Sequence, residues 1–237
     1  MNTLQTIPVL NLSLAFIPVL VVLVILFFWS TGFRTAIHAV SRMLIQLLLI
    51  GYALTYIFTA EDAWLVAAIL SIMLIASSWI SLRPVIHKDR LLYIKSFTAI
   101  VIGGVSTLLL VTQFVLELDP WFLPQYMIPL AGMIFANSMN SISQAAERLE
   151  SELVNKSSYP ECRQKAFKAA LIPQINSLFA VGLVSLPGMM TGQILSGISP
   201  LIAVRYQIVV MCMIFGSAGI SAACYLLLYD RVKPGNA

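Results

Sequence analysis

The sequence predicts an all-α integral membrane protein with about seven transmembrane helices, and three observations favour this class. Of its 237 residues, 59% are hydrophobic and only 10% are charged, and the mean hydropathy is +0.92. A soluble domain carries about 25% charged residues, so this composition could not cover a small water-soluble globule. Disordered chains are poor in hydrophobic residues, which excludes disorder. The apolar runs are also far longer than the strands of a membrane barrel.

Seven apolar runs have the length that a membrane-spanning helix needs, about 20 residues. Each is predicted to be helical, because backbone groups in hydrocarbon must bond within their own segment. The predicted spans are residues 11–29, 36–58, 63–82, 94–116, 127–146, 174–195 and 200–229. They use most of the chain, so residues 1–237 are predicted to form a single transmembrane domain with no separate catalytic domain.

The charges of the connecting segments alternate along the chain. One set of segments, counted with Arg42 and Lys95 beside it, holds 13 basic and 6 acidic residues, whereas the other holds 1 basic and 4 acidic residues. The basic set is 30–35, 83–93, 147–173 and 230–237. Basic residues stay cytoplasmic during membrane insertion. The N-terminus is therefore predicted to lie outside and the C-terminus inside.

Residues 147–173 form the one long connection, which we call the elbow, and we predict two helices joined by a bend. Arg148 faces Glu152 one helical turn later. Pro160 suits the first turn of the second helix, and Pro173 is predicted to mark the entry to the sixth span. The second helix is predicted to have one side formed by Cys162, Ala166 and Ala170. The elbow either docks in a groove of another protein or is a solvated connection between two spans.

Polar side chains in the fifth and sixth spans are candidates for a translocation pathway. A stripe on the fifth span has helical spacing and consists of Asn137, Asn140, Ser141 and Gln144. The sixth span adds Asn176, Met189, Met190 and Gln193. Polar groups in hydrocarbon usually face the bundle interior or a cavity. The alternative is structural, since amides also bond one helix to another.

A kink or short break is predicted in the sixth span at Pro187, Gly188 and Gly192. Pro187 removes a backbone donor, and the spacing of the two glycines allows close helix approach. Such a break can expose carbonyls and thioethers to a passing ion, or it can be a packing hinge. Met189 and Met190 are soft groups, but neighbours on a helix point in different directions. The sequence therefore leaves any metal site unknown.

Several residue types are missing where other transport chemistries would need them. No Asp or Glu lies in the middle of a predicted span, and His38 and His87 lie near the cytoplasmic ends. This argues against a proton-coupled carrier and against zinc or serine chemistry. No G-x-x-x-x-G-K-[ST] motif occurs, so the chain is predicted not to be an ATP-hydrolysing enzyme, and if it drives transport the energy must come from a partner. The net charge of +4 is not gathered in one patch, so nucleic acid is not an expected partner.

Longer stretches of sequence carry a family resemblance. They include AALIP at 169–173, VGLVSLPGMMTG at 181–192 and the segments 42–47, 51–52, 56–58, 129–134, 137–139 and 205–208. Over about residues 34–228 the chain resembles the FetB-like permeases. These are membrane subunits of a bacterial ABC transporter family assigned to iron export, to which plant aluminium-tolerance permeases also belong.

The resemblance implies a multi-pass permease of the bacterial cytoplasmic (inner) membrane that exports iron or a related metal ion. It implies that two copies form the pathway and that a separate cytoplasmic ABC ATPase binds ATP and Mg²⁺. The elbow would be the coupling element, with the ATPase contacting Leu153, Lys156, Tyr159, Pro160, Glu161 and Arg163. The family's loop is usually longer, and residues 164–170 keep only part of its pattern. No cofactor is expected in this chain.

Three other functions fit the residues. The first is an ABC permease for a small polar organic solute such as a sugar conjugate. The second is a carrier or channel that works without ATP. The third is a membrane scaffold that transports nothing, in which the polar stripe only joins helices.

Overall fold

A computed structural model describes residues 7–58, 62–86, 88–154 and 158–230, and nearly all of them are helical. The helices are α1 (Val9–Leu14), α2 (Ile17–Phe28), α3 (Phe33–Ile57), α4 (Ala63–Ser81), α5 (Arg90–Ile100), α6 (Ser106–Leu109), α7 (Pro124–Val154), α8 (Tyr159–Ala180), α9 (Gly188–Leu195) and α10 (Pro200–Asp230). Two π-helical segments, Val101–Val105 and Leu110–Val115, flank α6. Within these ranges the only extended pairing is an isolated bridge between Val181 and Ser185.

Five helical segments are long and apolar enough to cross a membrane: Leu10–Phe28, Phe33–Ile57, Ala63–Ser81, Arg90–Val115 and Pro200–Tyr229. They correspond to five of the seven predicted spans, so the chain is a helical, multi-pass membrane protein. The total of seven spans and their orientation remain predictions.

The predicted fifth and sixth spans have a different form. The fifth lies within α7, whose 31 residues extend about 46 Å and whose polar stripe lowers its hydropathy. The sixth is not one helix, because α8 ends at Ala180 and α9 begins at Gly188. The helix therefore stops several residues before Pro187, where the sequence placed the break.

The chain divides into two compact units, Met1–Ala60 and Glu61–Ala237. That all residues act as one permease domain remains a prediction. In the first unit, α2 and α3 meet through Phe27 and Phe33, whose ring centroids are 5.3 Å apart.

The second unit contains the core, in which α10 packs against α5, the first π-helical segment, α7 and α8. Among the described glycines, Gly103 lies closest to a neighbouring helix. A Cβ placed there would lie 2.3 Å from Ser221 Oγ and 2.6 Å from the Ser221 backbone nitrogen. Only glycine fits at such a crossing. The largest fully buried side chains include Tyr225, Leu82, Ile100, Met127 and Ile134.

The elbow has the two predicted helices. The end of α7 at Val154 and the start of α8 at Tyr159 confirm the bend, and Pro160 lies in the first turn of α8. The predicted packing side of α8 is confirmed, since Cys162, Ala166 and Ala170 are fully buried. α8 continues through Pro173, and that Pro173 marks the entry to the sixth span remains a prediction. One missing backbone donor does not end this helix, which is packed by buried Ala170 one turn before the proline and by buried Gln174 directly after it.

Candidate functional site

Two members of the polar stripe bond α7 to α8. Asn137 Nδ2 donates to the Met133 carbonyl at 2.8 Å, and Gln174 Nε2 donates to Asn137 Oδ1 at 3.2 Å. Ser141 Oγ donates to the Ala170 carbonyl at 3.5 Å. Interhelical bonds of this kind are the structural alternative for the stripe. For Asn137 and Ser141, the contacts therefore support helix association.

The other predicted amides are not drawn into these bonds. Asn140 and Asn176 are exposed on the surface of the single chain, and Gln144 is half-buried. An exposed amide within hydrocarbon is costly unless a cavity or another helix covers it. Their role in a pathway remains a prediction.

The break in the sixth span is a tight turn that satisfies its own backbone. The backbone N–H groups of Leu183, Val184 and Ser185 all donate to the Ala180 carbonyl, at 3.2, 2.8 and 3.2 Å. Gly182 has a φ of +84°, which favours glycine, and its N–H donates to the Ser185 carbonyl at 3.0 Å. The backbone can therefore leave the helix here at little cost in unmade hydrogen bonds.

The residues predicted to cause the break lie at its C-terminal end, where α9 begins. Pro187 precedes the first turn of α9, where its carbonyl accepts from the Thr191 backbone N–H at 3.0 Å and from Thr191 Oγ1 at 3.1 Å. A Cβ at Gly188 or Gly192 would meet no heavy atom within 4 Å. The close approach that their spacing allows is thus not made between the chain's own described helices.

Two cavities lie between this break and α10. One of about 290 Å³ is lined by Met133, Ser177, Val181, Ser185, Pro187, Gly188, Met189, Gln207, Val210, Met211 and Ile214. The other, of about 380 Å³, is lined by Leu178, Val181, Gly182, Leu186, Pro187, Met190, Val204, Gln207, Ile208, Met211 and Cys212. Met189 and Met190 therefore face different cavities. Gln207 and Met211, which line both, were not predicted as pathway residues because they belong to a different span.

The remaining predicted pathway residue, Gln193, is half-buried on α9. Its Oε1 atom is enclosed and accepts no hydrogen bond among the described residues. The part of the chain that the structure describes contains no group of three His, Cys, Asp or Glu side chains placed to hold a metal ion.

A charged cluster fixes the elbow, and Glu152 is at its centre. Its carboxylate pairs with Arg148 at 2.5 Å, as predicted, and with Lys165 of α8 at 3.1 Å. Lys165 also pairs with Glu161 at 3.1 Å. The Glu152 side chain is only 8% exposed. The sequence missed Lys165 as a partner because it lies on the following helix.

Hydrogen bonds from Lys165, first to Glu152 and then to Glu161, raise its pKa above the ordinary value of 10.5. Because the pKa of Lys165 is higher in the folded chain than in the unfolded chain, the charged lysine stabilises the folded state. The contribution is therefore fully present below about pH 10.5 and is lost as the pH rises through the folded-state pKa. At neutral pH the cluster is intact.

An aromatic cluster joins the elbow to α10. The Tyr159 hydroxyl donates to the Leu226 carbonyl, and the rings of Tyr159 and Tyr229 are stacked with centroids 6.5 Å apart. Lys95 Nζ lies 5.4 Å from the centroid of the Tyr229 ring, within cation–π range. Tyr159 was a predicted coupling residue, whereas Tyr229 and Lys95 were not.

The other predicted coupling residues lie around the bend. Pro160 and Glu161 are exposed, and Leu153 and Arg163 are half-buried. Lys156 lies outside the described residues. Leu153 borders a cavity of about 410 Å³ with Pro84, Ile86, Glu147, Glu150, Ser151, Val154 and Tyr229.

Comparison with known proteins gives consistent matches over most of the chain. A family model described as an uncharacterised protein family, UPF0014, matches residues 9–160 and 154–232. The chain is 34% identical to the "Probable iron export permease protein FetB" of Escherichia coli, covering 91% of this chain and 90% of the relative. It is 33% identical to the UPF0014 membrane protein YjkA of Bacillus subtilis, covering 92% and 91%. It is also 33% identical to the protein ALUMINUM SENSITIVE 3 of Arabidopsis thaliana, covering 78% and 72%. No solved structure matches.

Proposed function

Because the chain belongs to the UPF0014 family of membrane proteins, we propose that it is the permease subunit of an ABC transporter that exports iron or a related metal ion. The observation that carries the proposal is the 34% identity, over 91% of the chain, to a relative named as a probable iron export permease. Five helices long and apolar enough to cross a membrane fit a permease. ATP would be hydrolysed, with Mg²⁺, on a separate ATPase.

We expect such an ATPase to act on the chain through the elbow. Its inner side is buried and its ion pairs join both of its helices through Glu152. Its tip, at Pro160 and Glu161, is exposed. A force applied at the tip would therefore move α7 and α8 together. A rigid element of this kind can switch between two discrete arrangements, which a flexible loop cannot do.

The proposed orientation follows from the charges. With the N-terminus outside, the elbow and its excess of basic residues lie in the cytoplasm, where the ATPase is. The membrane would be the bacterial cytoplasmic membrane. ATP binding at the ATPase would then change the access of the pathway through the elbow.

A second copy of the chain would complete the pathway. Asn140 and Asn176 are exposed on the single chain, and amides within hydrocarbon are expensive unless another helix or a cavity covers them. Pairing two copies would cover such positions.

The proposal is tested by purifying the chain with its ATPase, reconstituting the complex in liposomes and titrating ATPase activity with Fe²⁺, other metal ions and sugar conjugates. A metal ion is expected to stimulate hydrolysis and to accumulate inside liposomes whose ATPase faces outward. Stimulation by a sugar conjugate alone would favour the organic-solute alternative. If no ATPase accompanies the chain in mild detergent, the carrier or channel alternative is favoured.

The coupling surface is tested by two matched charge reversals on α8. Arg163→Glu alters a predicted contact residue, whereas Lys168→Glu alters an exposed basic residue outside the predicted contact. We expect Arg163→Glu to reduce co-purification of the ATPase and Lys168→Glu to leave it unchanged. Equal losses in both variants would contradict a contact centred on the bend.

A further inference from the structure

The two cavities beside the break in the sixth span are large enough to hold a ligand. Their volumes are about 290 and 380 Å³, whereas one water needs only about 10–15 Å³. They share Val181, Pro187, Gln207 and Met211. Together they follow the junction between the break and α10.

The lining is rich in sulfur. Met133, Met189 and Met211 line the smaller cavity, and Met190, Met211 and Cys212 line the larger one. Four of the ten methionines of the chain therefore face these two spaces from α7, α9 and α10. Methionine often fills gaps in a core, but here the thioethers border space that the chain leaves unfilled.

Gln207 adds a polar atom to the same place. It is 6% exposed, lines both cavities, and its Oε1 atom accepts no hydrogen bond among the described residues. A buried acceptor without a partner is uncommon and costs free energy. Inside a membrane, a buried polar group that faces a cavity is a candidate for a functional site.

We infer that these cavities form a binding site for a soft monovalent cation of the Cu(I) type, held by methionine sulfurs with Gln207 Oε1 as a further donor. Thioether and thiol ligands select Cu(I), whereas hard cations prefer carboxylates and other oxygen ligands. All of these donors except the Cys212 thiol are permanently neutral, so they do not offset the charge of the bound ion. A monovalent ion fits them better than a divalent one, because the cost of desolvation grows with the square of the charge.

The role of the site in transport rests on the proposed function, since it would name the metal that the permease carries. Binding itself is a property of this chain alone. Neutral ligands suit a transit site, because a cation must leave it as readily as it enters.

The binding test uses the full chain, purified anaerobically in detergent and titrated with Cu(I) against a chromophoric chelator. The test variant is Met211→Leu, at the position shared by both cavities. The control is Met213→Leu, two residues along α10 at a position buried in the core. We expect Met211→Leu to weaken Cu(I) binding at least about tenfold and the control to stay within about twofold. Both substitutions nearly conserve volume, and the elution profile checks folding.

The site would be overturned if Cu(I) bound with equal affinity to the wild type, to Met211→Leu and to a combined variant. The combined variant carries Met133→Leu, Met189→Leu and Met211→Leu. X-ray absorption at the copper edge of the wild-type complex gives a measurement that needs no variant. Sulfur neighbours are expected, and a shell of nitrogen and oxygen alone would also overturn it.

The reconstituted complex separates this inference from the proposed function. Cu(I) binding that depends on Met211, without metal export driven by ATP, would support the site and contradict the proposed function. Export of iron that is unchanged in the combined leucine variant would support the proposed function and overturn the site as the place of transit.

Discussion

The two halves of α10 differ in how they are packed. From Ser217 to Leu226 one side of the helix is densely packed, with Ala218 and Ala222 fully buried and Gly103 pressed against Ser221, while Ile220 on the other side is exposed. Nearer its start, α10 borders two cavities, and exposed Ile208 lies next to Gln207, whose buried amide oxygen has no partner among the described residues. The Ser221 hydroxyl also lacks one, but it is covered by the crossing at Gly103.

Under the proposed function, this difference would separate a part that transmits movement from a part that holds a ligand. The elbow is attached to the dense half, through Tyr159 to Leu226 and Tyr229. Dense packing moves as a unit, because interiors are close-packed and transmit strain. No residue from Ser217 to Leu226 lines either cavity. Under the proposed function, the ATPase would pull on the dense half and the substrate would pass the open half.

The largest effect is expected at the helix crossing, in the variant Gly103→Ala. Its Cβ would lie 2.3 Å from Ser221 Oγ, 2.6 Å from the Ser221 backbone nitrogen and 3.0 Å from the Ser217 carbonyl oxygen. Backbone atoms cannot move aside without shifting α10, so we expect a loss of about 3 kcal/mol or more in unfolding free energy, at the upper end for overpacking. Thermal unfolding in detergent measures it.

The matched control is Gly192→Ala in α9, beside the open half. Its Cβ would meet no heavy atom within 4 Å, and alanine favours a helix over glycine by about 1 kcal/mol. Unchanged or slightly higher stability is expected. If both variants behaved alike, the contrast between the two halves of α10 would be lost.

Features that follow from composition or from neighbours on one helix were predictable from the sequence. Five spans, the bend of the elbow, the Arg148–Glu152 pair and the buried side containing Cys162 are of this kind, since they depend on local hydropathy and helical spacing. A tertiary contact such as Gly103 against Ser221 was not predictable, because nothing in either segment specifies its partner.

The same limit applies to the candidate site. Met189 and Met190 were noticed as soft groups, yet their surroundings depend on Met133 and Met211 from other helices. The break was expected at Pro187 because proline interrupts helices. The helix instead ends at Ala180, where a left-handed Gly182 allows a turn that satisfies its own backbone.

A smaller effect is expected at the ion cluster of the elbow, in the variant Glu152→Gln. The amide keeps the shape of the side chain but loses the charge that holds Arg148 and Lys165. Because Glu152 is buried, we expect a loss of about 1.5–3 kcal/mol, the usual range for hydrogen bonds to charged groups. Unfolding in detergent at neutral pH measures it.

Glu161→Gln is the control for this cluster. Glu161 also pairs with Lys165 at 3.1 Å, but its side chain is 54% exposed. An exposed pair between neighbouring turns contributes about 0.5 kcal/mol or less. A larger loss for Glu161→Gln than for Glu152→Gln would mean that the elbow is held from its exposed tip and not from its buried side.

The smallest effect is expected where the elbow meets α10, in the variant Tyr159→Phe. The ring that stacks on Tyr229 is kept, and only the hydroxyl that donates to the Leu226 carbonyl is removed. One hydrogen bond contributes about 0.5–1.5 kcal/mol, and Tyr126→Phe at an exposed position of α7 should change stability by less than about 0.5 kcal/mol. In the reconstituted complex, the number of metal ions exported per ATP should also fall for Tyr159→Phe. A variant that loses stability while keeping that ratio would show that the hydroxyl braces the elbow without carrying the coupling, which would then pass through the buried side of α8.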